Sequence, residues 1–292
     1  MKSQKSAEAG GGKLFLVGTP IGNLEDMTFR AIRILKEADV IAAEDTRNTI
    51  RLCNHFDIQT PLMSYHEHNL EVGGEKILKM LEDGKSVALV SDAGMPCISD
   101  PGADIVAKAV AASYDVVPVP GANAAISALV ASGLVPQPFL FFGFLSRHKK
   151  ERGSQLETLK NREETIILYE APHRLKETLL SLDASFGGDR SVVLAREVTK
   201  RFEEFLRGTL VEAVHWVETH EVRGEFCIVI EGGDGAVEKE EPAWWNDMSI
   251  REHVASLIER KEIRSKEAIR EVATERGLSR RDVYQAYHVE EE

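Results

Sequence analysis

Three stretches of this chain place glycine, small residues and isolated carboxylates directly behind apolar runs: Val17-Gly-Thr-Pro-Ile-Gly-Asn23, Ser91-Asp-Ala-Gly-Met-Pro-Cys-Ile-Ser-Asp-Pro-Gly102 and Pro118-Val-Pro-Gly-Ala-Asn-Ala-Ala125. In open α/β sheets ligands sit outside the carboxyl ends of the strands, where glycine lets backbone approach without a Cβ in the way. Any one stretch alone reads as an ordinary strand-to-helix turn. Together they supply three walls of one pocket. None is rich in Lys or Arg, which argues against a polyphosphate ligand; a zwitterionic or neutral one, held by backbone groups and a carboxylate such as Asp92, fits better. No G-x-x-x-x-G-K-[ST] loop occurs and no G-x-G-x-x-G opens a helix, so kinase, ATPase and ordinary dinucleotide readings lose their main support.

The elements that must position these loops alternate in βαβ rhythm. Leu14–Val17 reads as a strand, Phe29–Ala38 as a helix, Val40–Ala43 as a strand and Asn48–Phe56 as a helix. An amphipathic face at Ile77, Leu78 and Leu81, the strand Val87–Val90, a helix over Ala103–Ala112, the strand Val116–Val117 and an Ala-rich helix to about Ser132 continue the pattern. Gly133-Leu-Val-Pro-Gln-Pro138 cannot continue a helix and marks an internal boundary. Beyond it, strands read at Phe139–Phe142, Thr165–Tyr169, Ser191–Ala195, Arg201–Leu206 and Phe226–Ile230.

Expected organisation is therefore a polar tail (1–12), an N-terminal α/β domain (13–133), a second α/β domain (138–232), a Gly-rich acidic linker (233–242) and a helical domain (243–292). In the last, Ser249-Ile-Arg-Glu252 is a capping box, Lys266–Thr274 is a helix, and Ser279 caps a third helix beyond the Gly277-Leu278 turn, in helix-turn-helix proportions. A helical appendage packing on the protein or on a second copy is the plainer alternative. Trp244-Trp245 reads first as a hydrophobic anchor and second as a base-stacking platform.

A length of 292 residues with 43% hydrophobic content supports a sizeable core. No apolar run reaches membrane-span length and no signal peptide is evident, which leaves the cytoplasm as the expected location. Cys53, Cys97 and Cys227 are odd in number and lack a Cys-x-x-Cys pairing, so they are expected reduced and structural. His66-Glu-His68 lacks a third ligand in sequence, and no metal is expected. The net charge of −12 opposes nucleic-acid binding by the chain as a whole. Its distribution permits it locally, because Arg260, Lys261, Arg264, Lys266, Arg270, Arg276, Arg280 and Arg281 crowd one C-terminal stretch.

The joint set Leu14–Asn23, Ala43-Glu-Asp-Thr-Arg47, Ser91–Gly102, Pro120-Gly-Ala-Asn123, Phe142-Gly-Phe144 and Tyr169-Glu-Ala-Pro-His-Arg174 resembles the tetrapyrrole methylase superfamily, and within it the branch that methylates small-subunit ribosomal RNA. Ser91-Asp92-Ala93 stands where porphyrin-modifying members carry Gly-Asp-Pro, a departure that points away from porphyrin substrates. The resemblance implies a two-domain tetrapyrrole-methylase-like α/β fold with a C-terminal helix-turn-helix-like unit, a homodimer, and S-adenosylmethionine as cofactor without a metal. It further implies methyl transfer to the 2′-hydroxyl of a cytidine ribose in the decoding region of 16S rRNA, free or in the 30S particle; the chain's net acidity favours the particle. By motif position Gly18, Pro20, Asp92, Ala93, Gly94, Met95, Asn123, Ala124, Gly143, Phe144, Tyr169, Gly224, Glu225 and Phe226 are the expected cofactor-binding residues.

A ribose hydroxyl is a weak acid, so a carboxylate or histidine is expected to take its proton: Glu44, Glu170, His173 and Glu197 are the candidates, with Asp45 beside them. Arg47, Arg174, Arg196 and Lys200, in loops at strand ends, and Arg280 and Arg281 in the helical domain are expected on RNA phosphates. Each has a structural alternative: Glu170 and Glu197 can hold Arg174 and Arg196, and Glu44 and Asp45 can cap the helix that follows. A tetrapyrrole or protein acceptor, or a ligand-sensing helix-turn-helix regulator without catalysis, are the rival functions.

Overall fold

The structure, a computed structural model, describes residue 4 and residues 11–233, 244–245 and 247–288. In chain order its elements are β1 (Lys13–Val17), α1 (Phe29–Glu37), β2 (Val40–Ala43), α2 (Thr46–His55), β3 (Leu62–Ser64), α3 (Leu70–Glu82), β4 (Val87–Val90), α4 (Ala103–Ala111), β5 (Asp115–Val119) and α5 (Ala124–Ser132). There follow β6 (Phe139–Gly143), α6 (Lys149–Leu159), β7 (Thr165–Glu170), α7 (Pro172–Phe186), β8 (Ser191–Arg196), β9 (Glu204–Thr209), α8 (Leu210–Thr219) and β10 (Phe226–Ile230). The last helices are α9 (Ile250–Lys261), α10 (Ser265–Glu275) and α11 (Arg280–His288).

The first sheet, ordered β3-β2-β4-β1-β5, is wholly parallel. Its inner strands β2 and β4 are buried throughout, which is why they read as continuous apolar runs. Ile41, Ala43, Ala88 and Val90 pack with Ile34 and Leu35 of α1 and Cys53 of α2, while Val40, Ala42, Val87 and Leu89 pack with Ile77 and Leu81 of α3 and Ile105 of α4. The second sheet, ordered β6-β7-β10-β8-β9, is parallel only between β6 and β7. Helices α6, α7 and α8 cover one of its faces.

Its other face is covered by α5, which sequence places in the first half. Ala125, Ala128 and Leu129 pack on Ile167, Val193, Ala195, Cys227 and Val229. The alanines let the helix approach closely, and burying a leucine such as Leu129 stabilises the contact by about 1.5–3 kcal/mol. Arg207 of β9 donates to the Ala131 and Ser132 carbonyls and ties down the helix end. Through α5 the two sheets are packed into one compact unit, residues 1–235.

Two further boundaries differ from expectation. β9 starts at Glu204, not Arg201, because residues 197–203 form consecutive turns, with Lys200 N–H donating to Glu197 O and Glu203 N–H to Lys200 O. The short strand β3 was not anticipated; three residues are too few to carry a periodic signal.

Residues 236–292 form the second unit. The expected linker falls almost wholly outside the described residues. Val254, Leu257, Ile269, Val272 and Val283 make the core of α9, α10 and α11. The Ser249 capping box is formed, with Glu252 N–H donating to Ser249 Oγ at 3.2 Å and Ser249 N–H to Glu252 Oε2 at 2.8 Å. Trp245 stacks on the buried His253 at 5.1 Å with Arg276 over its ring, and Arg260 lies 4.3 Å over Trp244. Both indoles therefore have partners inside the unit, as the anchor reading expects.

Candidate active site

The carboxyl ends of β1, β4 and β5 meet the carboxyl ends of β6, β7 and β8 across a cleft. β10 runs antiparallel to β7 and β8, so its amino end, Phe226, pairs with Glu170 and Arg196 and brings Gly224-Glu225 to the same edge. Backbone contacts stitch the first three loops together. Thr19 and Gly94 exchange N–H···O bonds of 2.9 and 3.1 Å. Gly18 and Gly121 approach so closely that a Cβ on either would lie 2.8 Å from the other's Cα. Glycine at 121 is thus required by the neighbouring loop.

The cleft holds a cavity of about 190 Å³ lined by Ala93, Gly94, Met95, Asp100, Asn123, Ala124, Phe144, Tyr169, Glu170, Glu197, Lys200, Glu225 and Phe226, among others. A second cavity of about 480 Å³ adjoins it, lined by Thr19, Pro20, Asn48, Arg51 and Asp92. Ile21, Ala93, Lys200 and Glu225 line both. Of the expected cofactor residues, Gly18, Gly143 and Gly224 line neither and instead allow close packing: a Cβ at 143 would meet Ser99 Oγ at 3.0 Å and one at 224 the Glu197 side chain at 2.5 Å. Asp92 lies in the larger cavity, accepting from Asp45 N–H at 3.2 Å and Asn48 Nδ2 at 3.1 Å.

The aromatic wall is ordered by its neighbours. Tyr169 Oη accepts from Ala125 N–H at 3.1 Å, and burial pushes its phenol up to about 12. Phe144 packs edge-on to Tyr169 at 5.8 Å and is half exposed into the cleft. Asp100 lines the same cavity, and its carboxyl is pushed up to about 6 by burial, with Asp92 adding to the rise against the Ser91 hydroxyl. Asp100 escaped the sequence reading, although it lies inside the quoted Ser91–Gly102 segment; nothing in its spacing separates it from Asp92.

The expected proton acceptors fare differently. Glu170 is buried: Oε2 accepts from Thr178 Oγ1 at 2.6 Å, Oε1 from Ala171 N–H at 2.9 Å, and Arg174 Nε lies 3.6 Å away. Glu197, with φ of 50°, accepts from Lys200 Nζ and Glu225 N–H, both at 2.9 Å. Burial raises its carboxyl, but the Glu225 amide and the Lys200 ammonium outweigh it, and the group lies below the ordinary value. His173 is exposed in the first turn of α7 and lines neither cavity. Glu44, raised by burial and then by Asp100 and Asp92, also lines neither. Asp45 caps α2, as its plainer reading expects, and hydrogen bonds from Arg47 hold it down to about 2.

The cations expected on RNA are mostly engaged. Arg174 is in the first turn of α7, not a loop, and its side chain, 13% exposed, donates from the guanidinium to Leu145 O at 2.8 Å. Arg196 ends β8, donates to Arg223 O at 2.6 Å and pairs with Glu204. Lys200 bridges Glu197 and Glu225 at 2.9 and 2.8 Å. Arg47 pairs with Asp45 but is 86% exposed. Arg51, one turn further along α2 and lining the larger cavity, was not anticipated; a lone arginine in an amphipathic helix reads as its solvated face. Among the described residues no three His, Cys, Asp or Glu side chains gather as a metal site.

Residues 13–214 match the family model described as Tetrapyrrole (Corrin/Porphyrin) Methylases. The uroporphyrin-III C-methyltransferase from Thermus thermophilus complexed with S-adenosyl homocysteine superposes with a TM-score of 0.55 at 19% identity, covering 75% of this chain and 97% of that one. Ribosomal RNA small subunit methyltransferase I of Bacillus subtilis is 56% identical over 96% of this chain and 95% of its own length, and that of Halalkalibacterium halodurans 54% over 99% and 100%. The chain belongs to the tetrapyrrole methylases and, within them, to the ribosomal RNA small subunit methyltransferase I family.

Proposed function

We propose that this chain transfers the methyl group of S-adenosylmethionine to the 2′-hydroxyl of a cytidine ribose in the decoding region of 16S rRNA. Near-full-length identity above one half to chains named ribosomal RNA small subunit methyltransferase I carries the reading. The cavity fits the cofactor: backbone at Ala93, Gly94, Asn123 and Ala124, the open face of Phe144 for a purine, and the Asp100 carboxylate for a cationic group. When bound, S-adenosylmethionine supplies an electrophilic methyl on a sulfonium. The larger cavity, flanked by Arg51 with Arg47 one turn away, takes the ribose and its phosphates.

The reacting hydroxyl then belongs where the two cavities join, at Ile21, Ala93, Lys200 and Glu225. Glu170, buried, and Glu197, held by both the Lys200 ammonium and the Glu225 amide, serve as positioning residues. Glu225, whose side chain is 79% exposed and accepts from Lys200 Nζ through one oxygen, takes the proton and passes it to solvent, while Lys200 orients the nucleophile.

We place the reaction in the cytoplasm; among the described residues no helix is long and apolar enough to cross a membrane. For a homodimer we propose as contact surface the exposed apolar side chains Ile126 and Val130 of α5 with Val135 and Phe139 just beyond it. The substrate is the RNA alone or the 30S particle. Mass spectrometry of 16S rRNA from cells with and without the protein tests the reading, with one 2′-O-methylcytidine expected to disappear. Unchanged ribose methylation overturns it. Release of S-adenosylhomocysteine on adding rRNA separates a catalyst from a ligand-sensing regulator.

A further inference from the structure

The basic C-terminal stretch divides into two sets. Arg260 lies on Trp244, Lys261 pairs with Glu271 at 2.6 Å, and Arg276 donates to the Trp245 and Met248 carbonyls while covering the Trp245 ring. These hold the unit together. Lys266, Arg270, Arg280 and Arg281 form no ion pair among the described residues, and all four line a single groove of about 760 Å³ between α10 and α11. Helical spacing puts Lys266 and Arg270 on one face of α10, and Arg280 or Arg281, Tyr284 and His288 on one face of α11. Among the described residues Glu267 is the one carboxylate lining the groove, whereas Glu271 and Glu275 point to Lys261 and His253. Tyr284 is 57% exposed, with the His288 ring 4.4 Å away.

Among the described residues four cations face one carboxylate in the groove, and on a chain of net charge −12 such a cluster calls for a polyanion. An exposed aromatic pair set among them adds a surface on which bases stack, the combination used for single strands. Base-paired RNA would offer its phosphates but leave Tyr284 without a partner. We propose that the α10–α11 groove binds a single-stranded segment of RNA, with Lys266, Arg270, Arg280 and Arg281 on phosphates and Tyr284 stacked on a base. The choice of RNA rests on the function proposed above. The groove would recruit rRNA and take no part in the chemistry.

The test uses the full chain and a fluorescent single-stranded RNA decamer, its affinity measured across a salt series. Arg280→Gln with Arg281→Gln is expected to lower the slope of log K against log salt by about 1.4, two phosphate contacts at about 0.7 each. Tyr284→Ala is expected to weaken binding about five- to a hundredfold, with Tyr284→Phe close to wild type. Unaltered helicity and melting temperature establish that the unit remains folded in each variant. Unchanged affinity and slope in both variants overturn the proposal. So does unchanged decamer binding alongside weakened binding of 30S particles, which would make the occupant a ribosomal protein. If the wild-type chain binds the decamer through this groove but methylates no rRNA, the function proposed above fails and the groove stands; methyl transfer with decamer binding indifferent to the variants does the reverse.

Discussion

The cleft and the helical groove both contain arginines and lysines, but they use them in opposite ways. In the cleft, Arg174, Arg196 and Lys200 are held by carbonyls and carboxylates within 3.1 Å. In the groove, Lys266, Arg270, Arg280 and Arg281 face solvent without a carboxylate partner among the described residues. A cation whose donors are occupied shapes a pocket, and one whose donors are free recruits an anion. Charge counted along the chain cannot distinguish the two.

The largest expected effect confines damage to the cleft. Gly121→Val drives side-chain atoms into the Gly18 backbone, and calorimetry is expected to find cofactor affinity down by at least about a hundredfold, some 2.7 kcal/mol. Decamer binding by the same variant should be normal; its loss would end the contrast between the regions. Gly94→Val, with φ of 79° and Ile21 close by, is expected to act likewise.

Next is the chemistry at the junction. Glu225→Gln is expected to slow single-turnover methylation about a hundredfold, with cofactor and RNA affinities retained. Glu170→Gln leaves the single-turnover rate of the folded protein near normal, but costs about 1–3 kcal/mol of stability because it disturbs buried hydrogen bonds. A strong rate loss in Glu170→Gln with Glu225→Gln unaffected would return the base to Glu170.

Asp100 should reveal itself through pH. Its carboxyl, near 6 when folded against 3.8 ordinarily, ionises as pH rises through 6, so affinity for a cationic ligand should fall as pH drops through that value. Asp100→Asn is expected to bind the cofactor about tenfold more weakly at pH 8 and to lose the pH dependence. The linkage has the opposite sign for stability. The native state holds the Asp100 proton more tightly than the unfolded chain, so this group's stabilising contribution declines as pH rises from 4 to 6, and Asp100→Asn should melt higher than wild type at pH 8 but not at pH 3.5. Equal melting-temperature differences at both pH values would remove the burial argument.

The smallest functional effect is expected of Arg174→Ala, which should lower stability by about 1–3 kcal/mol through lost hydrogen bonds and leave the salt slope of RNA binding unchanged. A slope reduced as much as by the paired groove substitutions would make Arg174 a phosphate contact and dissolve the distinction drawn here.

The sequence by itself located the inner strands β2 and β4 of the first sheet, because strands buried on both faces must be apolar throughout, and it located the ligand loops, because glycine and proline punctuate strand ends. It determined the helical unit too, through the Ser249 and Ser279 caps. What it left open was decided in three dimensions. The side on which α5 packs depends on the shape of the second sheet's far face, which no local period encodes. Whether Glu170 is a base or a buried acceptor depends on Thr178, Ala171 and Arg174 arriving around it. Asp100 and Asp92 share one segment and one chemistry, yet burial separates them. Partner and burial are properties of where chains meet, and only the tertiary structure assigns them.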